Sequence, residues 1–350
     1  MSELREDPIT GRRSIIAPHR SSRPNDYPRR PPPAAPADCP FCEGHESWTP
    51  PEIVADRPAG RPANGPGWTV RAIPNKFPSV STEARLADGL ARDDRGVRRP
   101  GFGFHEVILE SPVHDARLAT LPAGQVRRVL GVLRDRVRAL ESEPSIASLI
   151  VFENSGPESG GTLFHPHAQI VALSEVLPVL AEETAAAERY ARDHDGRCVF
   201  EETLASERGL GTRVVREERR LTAYCPFASE HPYEVRIVPH RHAGSFGDAS
   251  EEEVDALARL LPAVLSDLEE IVPEYSYNFA LRSFARGRPE RGRYHWHLDV
   301  LPRLLRPDGF DVGGGIPVNP FAPETAAREL RGAGREPGRP ERGPGEVPKE

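Results

Sequence analysis

The stretch His165-Pro166-His167-Ala168-Gln169 decides the fold of this chain, because it closes the first copy of a repeated unit. It follows the polar, glycine-rich run 153–162 and leads into the apolar run 170–173. Side chains two apart in a strand share a face, so His165, His167 and Gln169 are predicted to line up. Two imidazoles and an amide beside small residues suit chemistry on a phosphate, because imidazole is a nucleophile at neutral pH. A metal-binding or merely hydrogen-bonded histidine pair is the alternative interpretation.

The second copy of the unit ends in His295-Trp296-His297. Each copy begins with a Glu-Val strand, continues through an amphipathic helix with apolar residues three and four apart, and returns in another strand. The spacing from Glu106 to His165 is 59 residues, and that from Glu234 to His295 is 61. We therefore expect an α+β fold of two tandem copies, with antiparallel sheets and helices packed on one face. The matching segments are 105–114 and 233–242, then 148–153 and 277–281, with the helices marked by Val126, Val129, Leu130, Leu133, Val137 and Leu140 and by Val254, Leu257, Leu261, Val264, Leu265 and Leu268.

Composition limits the classes of function. The 350 residues are 37% hydrophobic and 28% charged, and the net charge of −7 argues against general nucleic-acid binding, which requires a basic surface. No run of about 18 apolar residues occurs, so no membrane association is expected. The first residues have no apolar signal core, and only four cysteines occur, so we expect a cytoplasmic enzyme with reduced thiols.

Three segments are predicted to lie outside the packed units. The run 22–37 is too rich in proline for a helix or an inner strand and should form an extended arm on the surface. The segment 84–100 is predicted to be a solvated loop. The tail 331–350 has almost nothing to bury and is expected to be disordered.

An ordered set of motifs resembles the galactose-1-phosphate uridylyltransferase family, the transferase branch of the histidine-triad superfamily. The resemblance runs from about residue 7 to about residue 330 and implies two histidine-triad-like halves, 1–178 with the nucleophile and the zinc site, and 179–330. The motifs are Asp7-Pro8-Ile9-Thr10-Gly11-Arg12, Cys39-Pro40-Phe41-Cys42, Asn75-Lys76-Phe77-Pro78, Gly103-Phe104-His105-Glu106-Val107, Ser111-Pro112-Val113-His114, Phe152-Glu153-Asn154-Ser155-Gly156, His165-Pro166-His167-Ala168-Gln169 and His295-Trp296-His297-Leu298-Asp299.

The resemblance implies a two-step exchange through His167. This histidine would take a nucleotidyl group from a nucleotide sugar, and a sugar 1-phosphate would then attack the covalent intermediate in a ping-pong mechanism. Gln169 would hold an oxygen of the α-phosphate without titrating. The remaining substrate-binding residues implied are Arg20, Arg23, Asn75, Asn154, Gly160, Gly161 and Thr162. Surface charge is the alternative role for the two arginines, and turn or capping roles are the alternative for the two asparagines.

Zinc is the cofactor implied for Cys39, Cys42, His114 and His165. Two cysteines three apart and two distant histidines make a closed four-ligand site, which is structural rather than catalytic. Free thiols at a turn or a redox pair are the alternatives for the cysteines. The other two cysteines, Cys198 and Cys225, are expected to pack in the core, and His242 is assigned no metal.

A second metal, iron or zinc, is implied for Glu183, His295 and His297, with Glu182 as the alternative glutamate. A further histidine expected near residues 282–286 is absent, so we expect this site to be weak or empty.

The first function implied is uridylyl exchange between UDP-glucose and galactose 1-phosphate, in a homodimer. The alternatives are an adenylyl-transferring relative such as an ADP-glucose phosphorylase, a hydrolase of the same superfamily, and an inactive zinc-stabilised nucleotide-binding protein. The residue Lys76 and the run 313–315 depart from the family pattern and leave the choice of base and sugar open.

Overall fold

The structure is a computed structural model that describes residues 2–18, 39–83, 91–93, 96–98 and 101–333. The predicted arm 22–37, Arg20, Arg23 and all but the first three residues of the predicted tail lie outside these residues. Residues 331–333, assigned to the tail, belong to the last helix. The segment 84–100, predicted to be a loop, contains two short antiparallel strands in which Ala91 pairs with Arg98. Its polar residues give no alternation of apolar side chains, so the sequence offers no signal for it.

The described residues contain fifteen strands and six α-helices. The strands are β1 (Glu3–Glu6), β2 (Arg13–Ile16), β3 (Val54–Asp56), β4 (Val70–Pro74), β5 (Ala91–Asp93), β6 (Gly96–Arg98), β7 (Gly103–Leu109), β8 (Ser148–Ser155), β9 (His167–Leu173), β10 (Val214–Glu217), β11 (Leu221–Tyr224), β12 (Val235–Pro239), β13 (Tyr277–Phe284), β14 (Leu298–Pro302) and β15 (Val318–Asn319). The helices are α1 (Ala123–Glu141), α2 (Pro178–Asp193), α3 (Val199–Leu210), α4 (Glu251–Ile271), α5 (Gly309–Gly314) and α6 (Pro323–Ala333).

Within the described residues, ten strands form one antiparallel sheet in the order β10-β11-β12-β14-β13-β8-β9-β7-β4-β3. The two central strands are β8 and β13, which the repeat predicts to be equivalent, and they pair from Ser148 opposite Phe284 to Ser155 opposite Tyr277. On either side of this pair, equivalent strands follow in mirrored order. The predicted α+β fold with a tandem duplication is therefore confirmed, and the two copies share one sheet. The boundary at residue 178 stays a prediction.

The two long helices, α1 and α4, pack against one face of this sheet and against each other. All twelve apolar positions that mark them in the sequence are buried. Each such side chain contributes about 1.5–3 kcal/mol when it leaves water. Helix α4 begins at a capping box, in which Ser250 and Glu253 each bind the other's backbone N–H. These local signals explain why both helices could be predicted.

The opposite face carries the candidate chemistry. In β9, Ala168 and Ile170 point toward α1 and the core, so the side chains of His167 and Gln169 lie on the other side of the sheet. In the C-terminal half, α2 covers the corresponding area, where its Glu183 contacts His297. Helices thus lie on both faces in that half, whereas the sequence predicts one face only.

Candidate active site and metal clusters

The predicted nucleophile, His167, is the first residue of β9 and is 9% exposed. Its Nδ1 lies 2.7 Å from the backbone oxygen of His165, and a carbonyl only accepts, so Nδ1 carries the proton. The other nitrogen, Nε2, therefore keeps its lone pair. Burial lowers the pKa of His167 below its ordinary value, which keeps the ring neutral. The sequence predicts His167 as the nucleophile, and this hydrogen bond in the structure fixes its tautomer.

The predicted phosphate ligand Gln169 lies two residues further along the same face. Its Oε1 is 2.9 Å from His105 Nε2 and 3.4 Å from Asn75 Nδ2. Asn75, a predicted substrate-binding residue, therefore contacts Gln169 directly. The sequence motif contains His105, but no role was predicted for it. The period of two in β7 is the signal that could have found His105. Leu109 pairs with His167, and His105, four residues before Leu109, lies on the same face.

The glycine-rich loop joins β8 to β9 just before the nucleophile. Gly156 and Gly160 have φ of 84° and 85°, a left-handed backbone conformation that residues other than glycine rarely adopt. A Cβ on Gly161 would come within 3.0 Å of the backbone oxygen of Asn154, so the loop folds closely over that residue. Thr162 is exposed. The loop therefore brings Gly160, Gly161 and the exposed Thr162 close to the start of β9, and their phosphate-binding role stays a prediction.

The four predicted zinc ligands converge. The ligand atoms of Cys39, Cys42, His114 and His165 all lie within 4.8 Å of one another, so this cluster could hold a metal ion. Cys42 Sγ is 3.4 Å from His114 Nδ1 and 3.7 Å from His165 Nδ1. The Nε2 of His165 donates to the backbone oxygen of Ser111 at 2.8 Å, which leaves Nδ1 as the ligand atom. Burial lowers the pKa of His165 to about 4, so this imidazole is neutral, as a ligand must be.

The three residues predicted for a second metal do not converge. His297 Nε2 lies 3.7 Å from Glu183 Oε1 and 3.6 Å from Asp299 Oδ2. His295 instead donates its Nε2 proton to the backbone oxygen of Pro239 at 3.0 Å. The Asp299 carboxylate accepts hydrogen bonds from two guanidinium groups, those of Arg236 at 2.7 Å and Arg282 at 3.1 Å, which supply positive charge here.

A different cluster occurs nearby, formed by Cys198, Glu201 and His242, whose ligand atoms lie within 4.8 Å of one another and could hold a metal ion. Cys198 Sγ is 3.6 Å from His242 Nδ1, and the His295 ring lies 5.0 Å from the His242 ring. The sequence predicts packing for Cys198 and no metal for His242. Cys198 does pack against the core, and it also lies beside His242 in this cluster. The spacing Cys198-x-x-Glu201 repeats that of Cys39-x-x-Cys42, but the acidic residue hides the likeness.

Residues 1–177 match the model of the galactose-1-phosphate uridyl transferase N-terminal domain. This chain belongs to that family. An ADP-glucose phosphorylase of Arabidopsis thaliana is 30% identical over 94% of this chain and 92% of its own. A galactose-1-phosphate uridylyltransferase of Thermotoga maritima is 26% identical, over 95% and 98%. The crystal structure of an ADP-glucose phosphorylase from Arabidopsis thaliana with bound ADP-glucose superposes with a TM-score of 0.79, at 29% identity, covering 95% of this chain and 99% of that one.

Membership of the galactose-1-phosphate uridyl transferase family makes this chain an enzyme of the nucleotidyltransferase and phosphorylase group. The predicted resemblance is thereby confirmed. Among the described residues, no helix is long and apolar enough to cross a membrane. The homodimer stays a prediction.

Proposed function

We propose that this chain transfers a nucleotidyl group from a nucleotide sugar to a phosphate acceptor through a covalent intermediate on His167. The observation that carries the proposal is the protonated Nδ1 of His167, held by a backbone carbonyl at 2.7 Å. This hydrogen bond leaves the Nε2 lone pair free to attack the α-phosphorus. Burial keeps the ring neutral with Nε2 unprotonated, so no base is needed to activate it.

In the first step, a bond forms between Nε2 and the α-phosphorus, and the bond from phosphorus to the sugar 1-phosphate oxygen breaks. The sugar 1-phosphate leaves with the electron pair. Because Nδ1 keeps its proton, the nucleotidylated ring is a cation, and the His165 carbonyl stabilises it. In the second step, an acceptor phosphate oxygen attacks the same phosphorus and restores the neutral imidazole. Nδ1 never releases its proton, so the ring needs no exchange with solvent.

For the donor, we favour ADP-glucose with inorganic phosphate as acceptor. An ADP-glucose phosphorylase shares 30% identity with this chain over most of both lengths, and the superposed structure contains ADP-glucose. Uridylyl exchange between UDP-glucose and galactose 1-phosphate is the second candidate, supported by the family match and by the Thermotoga maritima relative. Both candidates use the same histidine and the same two steps.

We further propose that Cys39, Cys42, His114 and His165 hold zinc. Two thiols and two imidazoles within 4.8 Å of one another fit its tetrahedral preference and leave no open position. The ion would tie the Cys39–Cys42 segment to the strand that begins at His167. Its role would be to hold that strand in place.

Intact-mass spectrometry tests the covalent step. The protein is mixed in parallel with ADP-glucose and with UDP-glucose, without acceptor, and the mass increase is read. We expect an adenylyl adduct, or a uridylyl adduct for the second candidate, that disappears in His167→Ala. The matched control is His297→Gln, which alters the same position of the other copy and should keep the adduct. An adduct that persists in His167→Ala, or no adduct from either donor, would overturn the proposal.

A further inference from the structure

We infer that His105 is a positioning residue that fixes the orientation of the Gln169 side-chain amide, so that its NH2 group and not its oxygen faces the substrate phosphate. This inference rests on the proposed function. It assigns a role to a residue that contacts no reacting atom.

The tautomer of His105 follows from its neighbours. The backbone N–H of Ser79 points at His105 Nδ1 from 3.0 Å, and an N–H only donates, so Nδ1 bears the lone pair. Burial lowers the pKa of His105 and keeps the ring neutral, so its one proton lies on Nε2. The partner of Nε2 at 2.9 Å must then be an acceptor, and the atom there is Gln169 Oε1.

The amide of Asn75 is fixed in the same way. The backbone N–H of Phe77 donates to Asn75 Oδ1 at 2.8 Å, so the other end of that amide is its NH2 group. Its Nδ2 lies 3.1 Å from His105 Nε2 and 3.4 Å from Gln169 Oε1. Nδ2 and Nε2 are both donors, and the acceptor within reach of both is Gln169 Oε1. Two donors therefore converge on one oxygen.

A flip of the Gln169 amide would bring its NH2 group against these two donors and lose both hydrogen bonds. The observed orientation directs Nε2 away from His105 and Asn75, and within the described part of the chain Nε2 has no hydrogen-bond partner. Gln169 and His167 are both odd-numbered residues of β9 and share its open face. The amide thus presents two N–H donors beside the nucleophile, where negative charge on the phosphate develops.

The test measures the rate of nucleotidyl-enzyme formation by rapid-quench mass spectrometry with ADP-glucose and UDP-glucose. We expect His105→Phe to slow the step about 10- to 100-fold. This is at or below the lower end of the range of about 100- to 1000-fold for loss of one aligned donor. His105→Gln, which keeps a side-chain N–H, should recover much of the rate. In a Gln169→Ala background, His105→Phe should cause no further loss, because the group that it positions is gone. His240→Phe, in the other half, is the control for loss of a partly buried imidazole.

If the rate losses of His105→Phe and Gln169→Ala multiply in the double variant, the inference is overturned. His105 is then a purely structural residue. An unchanged rate in His105→Phe would do the same. The second measurement does not depend on turnover: ¹⁵N NMR of the ring should show an unprotonated Nδ1 and a protonated Nε2. A protonated Nδ1 contradicts the positioning role even in an active enzyme, whereas the expected tautomer in a chain that forms no adduct would mean that the proposed function alone has failed.

Discussion

Replacing Glu153 with glutamine is expected to flatten the dependence of stability on pH. Glu153 lies on β8 and pairs with Ala168, and Glu110 directly follows β7 and bonds to the backbone of Pro166. Both residues are therefore next to the strand that carries His167. Tyr277 donates to Glu153 Oε1 at 3.0 Å, while Glu153 Oε2 and both carboxyl oxygens of Glu110 have no hydrogen-bond partner among the described residues. Burial raises the pKa of Glu153 to about 8 and that of Glu110 well above its ordinary value. A carboxyl group without partners is costly to ionise in such a place.

The direction of the pH effect follows from proton linkage. In the unfolded chain Glu153 titrates near 4.5, whereas in the folded protein it keeps its proton up to about pH 8. Between these values the folded state binds the extra proton, so stability is full below pH 4.5 and falls as the pH rises toward 8. One such group costs about 1.4 kcal/mol per pH unit, or roughly 4 kcal/mol across three units. Glutamine keeps the oxygen that accepts from Tyr277 and has no proton to lose.

Urea unfolding at pH 5, 6, 7 and 8 measures this difference. Wild type and Glu153→Gln should have similar free energies of unfolding near pH 5, and the variant should be more stable by about 3–4 kcal/mol near pH 8. The control is Glu143→Gln at an exposed position, whose curve should run parallel to that of wild type. Buried carboxyls outside this pair, such as Glu183 with a pKa of about 7, contribute equally to both proteins and cancel. Parallel curves for wild type and Glu153→Gln would refute the reasoning.

Three further predictions follow from single positions. Cys42→Ser should lower the metal content by one equivalent per chain and reduce the melting temperature, as read by elemental analysis and calorimetry; unchanged metal content would rule out the predicted zinc site. Gly156→Ala should slow nucleotidyl-enzyme formation and destabilise the fold by about 1–3 kcal/mol, because φ is 84° and the added Cβ would lie 2.4 Å from Ser276 Oγ; Gly124→Ala, where nothing lies within 4 Å, is its control. Leu257→Ala in α4 should cost about 2–5 kcal/mol in urea unfolding, and a cost below 1 kcal/mol would contradict its place in the core.

Local periodicity made much of the fold predictable. The two helices and the strands at 148–153 and 277–281 follow from spacings within a few residues, and the structure extends those strands only to Ser155 and Phe284. The meeting of β8 and β13 in one sheet depends on contacts between distant segments, and periodicity does not encode it. The Cys39 cluster could be predicted because its cysteine spacing is a known signal. The Cys198 cluster escaped prediction because it mixes a thiol, a carboxylate and one imidazole from two distant segments.

The sequence similarity of the two copies predicts the same strand register in both, but the registers in the sheet differ by one residue. The sequence aligns Glu106 with Glu234, each in a Glu-Val pair. In the sheet, Ile108 lies opposite Ala168, one residue after His167, whereas Arg236 lies opposite Asp299, two residues after His297. The C-terminal copy is therefore offset by one residue, and an offset of one moves a side chain to the other face.

The offset explains why only one copy is expected to carry out the chemistry. Glu106 points to α1 and binds Arg136 at 2.6 Å, whereas Glu234 lines a cavity on the opposite face together with Glu183 and Asp299. Glu234 thus takes the place that His105 holds in the first copy, and Asp299 takes that of Gln169. An ionised carboxylate only accepts hydrogen bonds, so it cannot donate to a phosphate as the amide does. Burial and the neighbouring Arg236 lower the pKa of His297 to about 3, but the ring faces carboxylates and the covering helix α2. A nucleotidyl adduct on His297 would contradict this argument.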